Sequence, residues 1–349
     1  MDNPDSRLIE SLAGKVRDFV QRQVPEGPVA LIDYPQHENV GDSAIWCGET
    51  TALDSSRWPI AYVADRRFHN DGEMTRRLGD GTILLHGGGN LGDLWPPHQR
   101  FRETIVANHG ATKIVQLPQT VFFQDEKAKA AAGATLLRHG DLTLAARDQR
   151  SLEVLRSVGL QAELVPDAAF CLGPLRRPRP RGAGSRVIWL GRTDHESLVA
   201  ARGHQGITVK DWLRKPKPPF SEPRERTLFH MTAVAQRCRQ HGHGRLPVSP
   251  ALSICYDKAA QRRILRGTHL LSAADVVITD RLHGHILCLL LGIPHVVLPD
   301  RFGKLSNFWQ TWTSGSQLAT WCDTPEEALE TSIRLCGDAG VRQREGATS

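Results

Sequence analysis

The segment Asp280-Arg281-Leu282-His283-Gly284-His285 packs four ionisable side chains into the turn between a strand-like run at 276–279 and an apolar, helix-like run at 286–291. A turn that opens a helix exposes unpaired backbone N–H groups and the positive end of the helix dipole. Adding Arg281 and His283 to it makes a site for phosphate or carboxylate. The alternative is structural, with Asp280 pairing with Arg281 and the histidines satisfying backbone carbonyls. For an isolated D-R-x-H that alternative is preferred, but a strand-to-helix turn reverses the preference.

Three further strand ends carry unusual chemistry. After the run TILLH come His86, Gly87, Gly88, Gly89, Asn90 and Asp93, then His98 near a helix start. Glycines let backbone approach a ligand closely. No Lys-Ser/Thr follows and the spacing is not G-x-G-x-x-G, so this is neither a P-loop nor a dinucleotide fingerprint. In DYPQHENVGDSAIW, Asn39, Gly41, Asp42 and Ser43 open a helix, where Asp42 or Ser43 also reads as a plain N-cap. In LTLAARDQRSLEVL, Arg147 emerges from a strand, either as half of a structural ion pair or as a second anion contact. These loops share Arg, His, Asn and Gly, and lack carboxylate pairs, Cys–His pairs or a serine nucleophile elbow. That pattern suits binding and acid–base chemistry on an anionic substrate, and disfavours a metal hydrolase or serine esterase.

The elements that must position these loops alternate. Short apolar runs at 29–33, 60–64, 82–86, 113–117, 142–146 and 162–166 are separated by helical patterns at about 42–53, 97–109, 125–139 and 148–158. A second series opens at 186–191, with helices expected at about 227–241, 258–273, 304–313 and 325–336. The reading is α/β, with two doubly wound, parallel-sheet, Rossmann-like domains and an interdomain cleft. The expected division is a domain over 1–172, a Pro/Gly/Arg-rich linker over 173–185, a domain over 186–337 and a tail over 338–349. The basic, proline-rich stretch 193–226 reads as a long loop with little regular structure.

Composition sets the outer bounds. The 349 residues are 40% hydrophobic and 23% charged, enough for two cored domains. No run is long and apolar enough for a membrane span, and the N-terminus reads as an amphipathic helix with no signal core. Seven scattered cysteines without a C-x-x-C pair argue against a zinc site or a disulfide framework and fit a reducing cytoplasm. The net charge of +6 could serve an anionic lipid or a phosphorylated substrate. No nucleic-acid-binding motif accompanies it.

Taken together and in order, ENVGDSAIW, HGGGNLGDLWPPHQRFRE, KIVQLPQTVFF, AARDQRSLEVL and TDRLHGHILCLLLGIPHVVLPDRFGKLSNFWQTW resemble the polysaccharide pyruvyl transferase family over about residues 28–312. The resemblance implies a fold like the two-domain GT-B glycosyltransferases. It also implies transfer of the enolpyruvyl carbons of phosphoenolpyruvate to two sugar hydroxyls, forming a cyclic ketal and releasing phosphate. By motif, Arg281, Leu282 and His283 match the family's R-L-H donor segment, with Gly284 beside it, and His283 and His98 are the expected catalytic residues, with either as acid or base. Arg147 matches the arginine that holds the donor's anionic groups, and His98 a histidine of the reaction. Asn39, Gly41, Asp42, His86, Gly87, Gly88, Gly89, Asn90 and Asp93 are expected on the acceptor side. No cofactor or metal is expected.

The same pattern admits a GT-B-like glycosyltransferase with Arg281 and Lys304 on a nucleotide diphosphate, or a non-catalytic phosphate- or glycan-binding protein. Under the pyruvyl transferase reading Lys304 joins the donor side and the acceptor is a saccharide, expected on a lipid carrier. The expected location is cytoplasmic, with loose contact of the basic linker and the 210–226 stretch with an anionic membrane face.

Overall fold

A computed structural model describes residues 3–178, 185–192, 207–213, 223–240 and 248–345. Residues 179–184 of the expected linker, and 193–206 and 214–222 of the basic stretch, lie outside the described residues, as does the end of the tail from 346. The chain divides into a larger unit, Leu12–Cys171 with Lys215–Arg262, and a smaller unit, Met1–Ser11 with Leu172–Arg214 and Arg263–Ser349. Neither unit is contiguous. Residues 1–11 and 215–262 each group with the unit that a cut at 173–185 would separate them from. Two of the division points fall within long helices, Ser6–Gln23 and Val248–Ser272.

In chain order the first elements are α1 (Ser6–Gln23), β1 (Val29–Ile32), α2 (Val40–Ala52), β2 (Ile60–Ala64), α3 (Asp71–Leu78), β3 (Thr82–Leu85), β4 (Gly88–Gly92), α4 (Pro96–Asn108), β5 (Ile114–Phe122), α5 (Glu126–Leu137), β6 (Leu142–Ala146), α6 (Gln149–Ser157) and β7 (Glu163–Leu164). All strand pairs are parallel, in the order β2-β1-β3-β5-β6-β7, with β4 lying alongside β5. The strands are near-continuous apolar runs because helices cover both faces. Their core includes Ile32, Tyr62, Ile83, Leu85, Ile114, Leu144 and Leu152. The glycine-rich run after β3 was read as a turn, but Gly88–Gly92 forms a strand of its own.

The remaining elements are β8 (Ser185–Leu190), β9 (Ile207–Lys210), α7 (Pro223–Gln240), α8 (Val248–Ser272), β10 (Ala274–Thr279), α9 (Leu282–Leu291), β11 (His295–Val297), α10 (Lys304–Phe308), β12 (Ala319–Trp321) and α11 (Pro325–Glu345). The second sheet is again parallel, in the order β12-β11-β10-β8-β9. The stretch expected to lack regular structure therefore contributes β9, paired with β8 through Val187↔Ile207 to Leu190↔Lys210. Helix α7 starts at Pro223 and α8 has Pro250 in its first turn, where a missing N–H costs no intrahelical bond. Proline there reads as a breaker in the sequence, so both helices start earlier than expected. The tail, expected to fray after Gly337, continues as α11 to Glu345. No helix among the described residues is long and apolar enough to cross a membrane.

The two sheets share one wiring. In each, the first strand lies in the interior, the second on one side of it and the third on the other. In such sheets ligands collect at the carboxyl ends of the first and third strands, where the chain crosses to opposite sides. Those ends are β1/β3 in the larger unit and β8/β10 in the smaller one.

Candidate active site

At the larger switch point, β1 ends in Asp33, the sole non-glycine residue at positive φ among the described residues (φ 70°). A non-glycine residue held there carries backbone strain, which functional sites often store. Its carboxylate is 2.9 Å through each oxygen from Nδ1 of His98, in the first turn of α4. The Asp33 side chain is almost fully buried, whereas His98 remains about a fifth exposed. With Nδ1–H donated to Asp33, neutral His98 presents Nε2 as its basic nitrogen.

A second histidine–carboxylate pair sits at the end of β3. His86 Nδ1 lies 2.6 Å from Glu49 Oε2, and Glu49 Oε1 accepts from the Gly87 N–H at 2.7 Å. Burial by itself would depress the His86 imidazole, but Glu49, with smaller contributions from Asp33 and Asp42, holds its pKa above the ordinary value. His86 Nε2 is buried without a hydrogen-bond partner among the described residues. Gly87 has no room for a side chain, since a Cβ would lie 2.7 Å from Pro118 O and 3.0 Å from Glu49 Oε1. The glycine run is therefore fixed by Glu49 from α2 and by the backbone of β5.

Asn90 is held from behind. Its side-chain oxygen accepts from Arg102 Nη2 (2.7 Å) and Gln119 Nε2 (3.0 Å). Arg102 also donates to Gln116 Oε1 and Gln99 Oε1, so all three of its hydrogen bonds go to amide oxygens and none to a carboxylate among the described residues. Burial pushes its pKa down to about 10. Asn39, rather than Asp42 or Ser43, caps α2, accepting from Gly41 N and donating to Asp42 Oδ2 at 2.8 Å. Asp93 holds the entry to α5 by accepting from Gln124 N and Asp125 N. Arg147, at the end of β6, donates to Asp167 Oδ2 (2.7 Å) and Thr120 Oγ1 (2.7 Å) and is 2% exposed. The structural ion pair weighed in the sequence is present.

In the smaller unit β10 runs into Asp280 and α9. Arg281 occupies the N-cap, where its side chain caps nothing. It donates instead to Asp211 Oδ1 at 2.7 Å and to Gly191 O, and is buried at 3%. His283 is half-buried in the first turn of α9. A Cβ on Gly284 would meet Thr279 Oγ1 at 2.5 Å, so the glycine allows α9 to sit on the end of β10. Lys304 opens α10, whose first turn is capped by Asp300. His285 belongs to the core: its Nδ1 lies 2.7 Å from His295 Nε2 and its Nε2 2.9 Å from Thr313 Oγ1. Burial, reinforced by the neighbouring imidazole, keeps His285 neutral, and burial pushes His295 down to about 4.

The structure thus places Asn39, His86, Gly87, Asp93 and Arg147 just beyond strands of the larger sheet, Gly88, Gly89 and Asn90 in β4, and Gly41, Asp42 and His98 in the first turns of α2 and α4. Arg281, Leu282, His283, Gly284 and Lys304 lie beyond strand ends of the smaller one. Sequence reasoning missed Asp33, Glu49, Arg102, Asp167 and Asp211, the partners that orient the expected residues. The available signals were slight, namely a single acid ending an apolar strand at Asp33 and a lone charge directly after the apolar run 44–48 of α2 at Glu49.

Two parallel sheets of seven and five strands, each wired as a doubly wound unit, define an α/β protein with two Rossmann-like domains. The profile of the family described as polysaccharide pyruvyl transferase matches residues 39–300, and the chain belongs to that family of enzymes. It is 32% identical to Pyruvyl transferase 1 of Schizosaccharomyces pombe, over 83% of this chain and 71% of that one. It is 28% identical to EpsO of Bacillus subtilis, over 90% and 94% of the two chains. Its fold matches a crystal structure of an uncharacterised Klebsiella pneumoniae protein with a TM-score of 0.54 at 16% identity, covering 93% of this chain and all of that one.

Proposed function

We propose that the protein transfers the pyruvyl group of phosphoenolpyruvate to two hydroxyls of a saccharide, on an exopolysaccharide or its lipid-linked precursor, forming a ketal and releasing phosphate. The Asp33–His98 pair carries this reading. Family membership supplies a transfer to hydroxyl groups, and the pair is a base oriented to remove a hydroxyl proton.

Each remaining role follows from chemistry. Arg281 and Arg147 take the carboxylate and phosphate of the donor, with Leu282, Gly284 and Lys304 shaping the donor side. Each guanidinium is already anchored by an aspartate, which fixes its position. His98 accepts the proton of the attacking hydroxyl, and His283 assists beside the donor. The glycine run, Asn39, Gly41, Asp42, His86, Asn90 and Asp93 form the acceptor wall.

Calorimetric titration tests the donor. Phosphoenolpyruvate should bind and uridine diphosphate should not. Binding of the nucleotide with no heat from phosphoenolpyruvate would overturn the reading in favour of a nucleotide-sugar enzyme.

A further inference from the structure

Asp280 is the residue of the β10–α9 turn that neither the motif roles nor the packing accounts for. It lies at the carboxyl end of β10, one strand of the smaller switch point, and is 2% exposed. Its evident partner, Arg281, donates to Asp211 instead. Among the described residues, no other residue donates a hydrogen bond to Oδ1 or Oδ2 of Asp280. A buried carboxylate left in this way is costly, and proteins retain such groups where chemistry needs them.

The charged groups that face it are Arg281 at the cap of α9, Arg192 after β8 and Asp300 before α10. Burial outweighs the two arginines, Asp300 adds to the rise, and the carboxyl is pushed up to about 6. A carboxylic acid in that range can hold a proton in the resting enzyme and surrender it in a transition state.

We propose that Asp280 is the acid of the transfer reaction, delivering the proton that turns the methylene carbon of the enolpyruvyl donor into a methyl group. The inference rests on phosphoenolpyruvate as the donor. As the hydroxyl oxygen bonds to the central carbon, the electron pair of the C=C bond takes the proton from Asp280, which becomes a carboxylate. The hydroxyl proton passes to the base. Phosphate then departs with the electron pair of its C–O bond, and the second hydroxyl attacks and closes the ring. Of the two hydroxyl protons released, one restores Asp280 and the other leaves with phosphate. The carboxylate formed beside the reacting carbon also offsets the positive charge that develops there.

The test compares wild type with Asp280→Asn and Asp280→Glu, using phosphoenolpyruvate and a panel of methyl hexopyranosides. Asp280→Asn should lower kcat by about 10²–10³-fold while its affinity for phosphoenolpyruvate stays within about threefold. Asp280→Glu should retain part of the activity. The kcat of wild type should fall with rising pH on a limb that Asp280→Asn lacks. Turnover of Asp280→Asn within about threefold of wild type, or the same limb in both, overturns the proposal. Unfolding of both variants also overturns it, by making Asp280 a structural residue. A wild type that releases no phosphate from phosphoenolpyruvate with any of the sugars removes the donor reading itself, and this inference with it.

Discussion

His98 faces Asp33 through Nδ1, 2.9 Å from each carboxylate oxygen, and this contact joins the start of α4 to the strained end of β1. Asp33 fixes both the ring orientation and the tautomer, so the two residues should act as one unit. His98→Gln should reduce kcat by about 10²–10³-fold, and Asp33→Asn by a comparable amount with no larger loss in the double variant. Affinity for phosphoenolpyruvate should change little in any of them. Steady-state phosphate release and donor calorimetry check both parts. Multiplying losses in the double variant would show that the residues act separately.

Arg147 and Arg281 call for a different experiment, because each is half of a buried ion pair. Truncation leaves Asp167 or Asp211 buried and uncompensated, at a cost of about 3–5 kcal/mol. Arg147→Ala should therefore lower the melting temperature as well as donor binding. Arg147→Met combined with Asp167→Leu should regain most of the stability and none of the binding. If the paired replacement restores phosphoenolpyruvate affinity too, Arg147 is structural.

Gly284 gives a packing prediction. Gly284→Ala puts a methyl group 2.5 Å from Thr279 Oγ1, and should destabilise by about 1–3 kcal/mol. Adding Thr279→Ala should recover part of that loss in a thermal melt. No recovery would mean that the clash lies elsewhere.

The burial of Asp280 and of His295 sets opposite pH dependences of stability. Asp280 is pushed up to about 6, so the stability associated with its neutral form is present at pH 4 and lost as pH rises through 6. Asp280→Asn should consequently melt higher than wild type at pH 8 and no higher at pH 4. His295, pushed down to about 4 by burial, remains neutral in the fold where the unfolded chain is protonated. Its contribution is present above pH 6.5 and lost as pH falls towards 4. His295→Gln should flatten that part of the acid limb in melting-temperature profiles.

The strand ends were legible because parallel strands buried on both faces read as apolar runs, and what interrupts them is visible. The Arg281 and Arg147 positions came from such interruptions, and His98 from a helix start and the family motif. Their aspartates did not, because Asp33–His98, Arg147–Asp167 and Arg281–Asp211 join residues far apart in sequence. Local pattern carries no information on such pairs. Asp280 shows the opposite failure. Adjacency to Arg281 suggested an ion pair, whereas the turn sends the guanidinium to Asp211. The helices α7 and α8 began early for a local reason, proline in a first turn, which sequence reads equally well as a stop.

The central claim is the transfer itself, and incubation with phosphoenolpyruvate and a saccharide acceptor tests it most directly. Free phosphate and acceptor mass should be followed together. The account predicts phosphate release in step with an acceptor gain of one pyruvate less one water, slowed about 10²–10³-fold in His98→Gln. Phosphoenolpyruvate left intact while a sugar is transferred from a nucleotide donor, or bound without turnover across the acceptors, would contradict it.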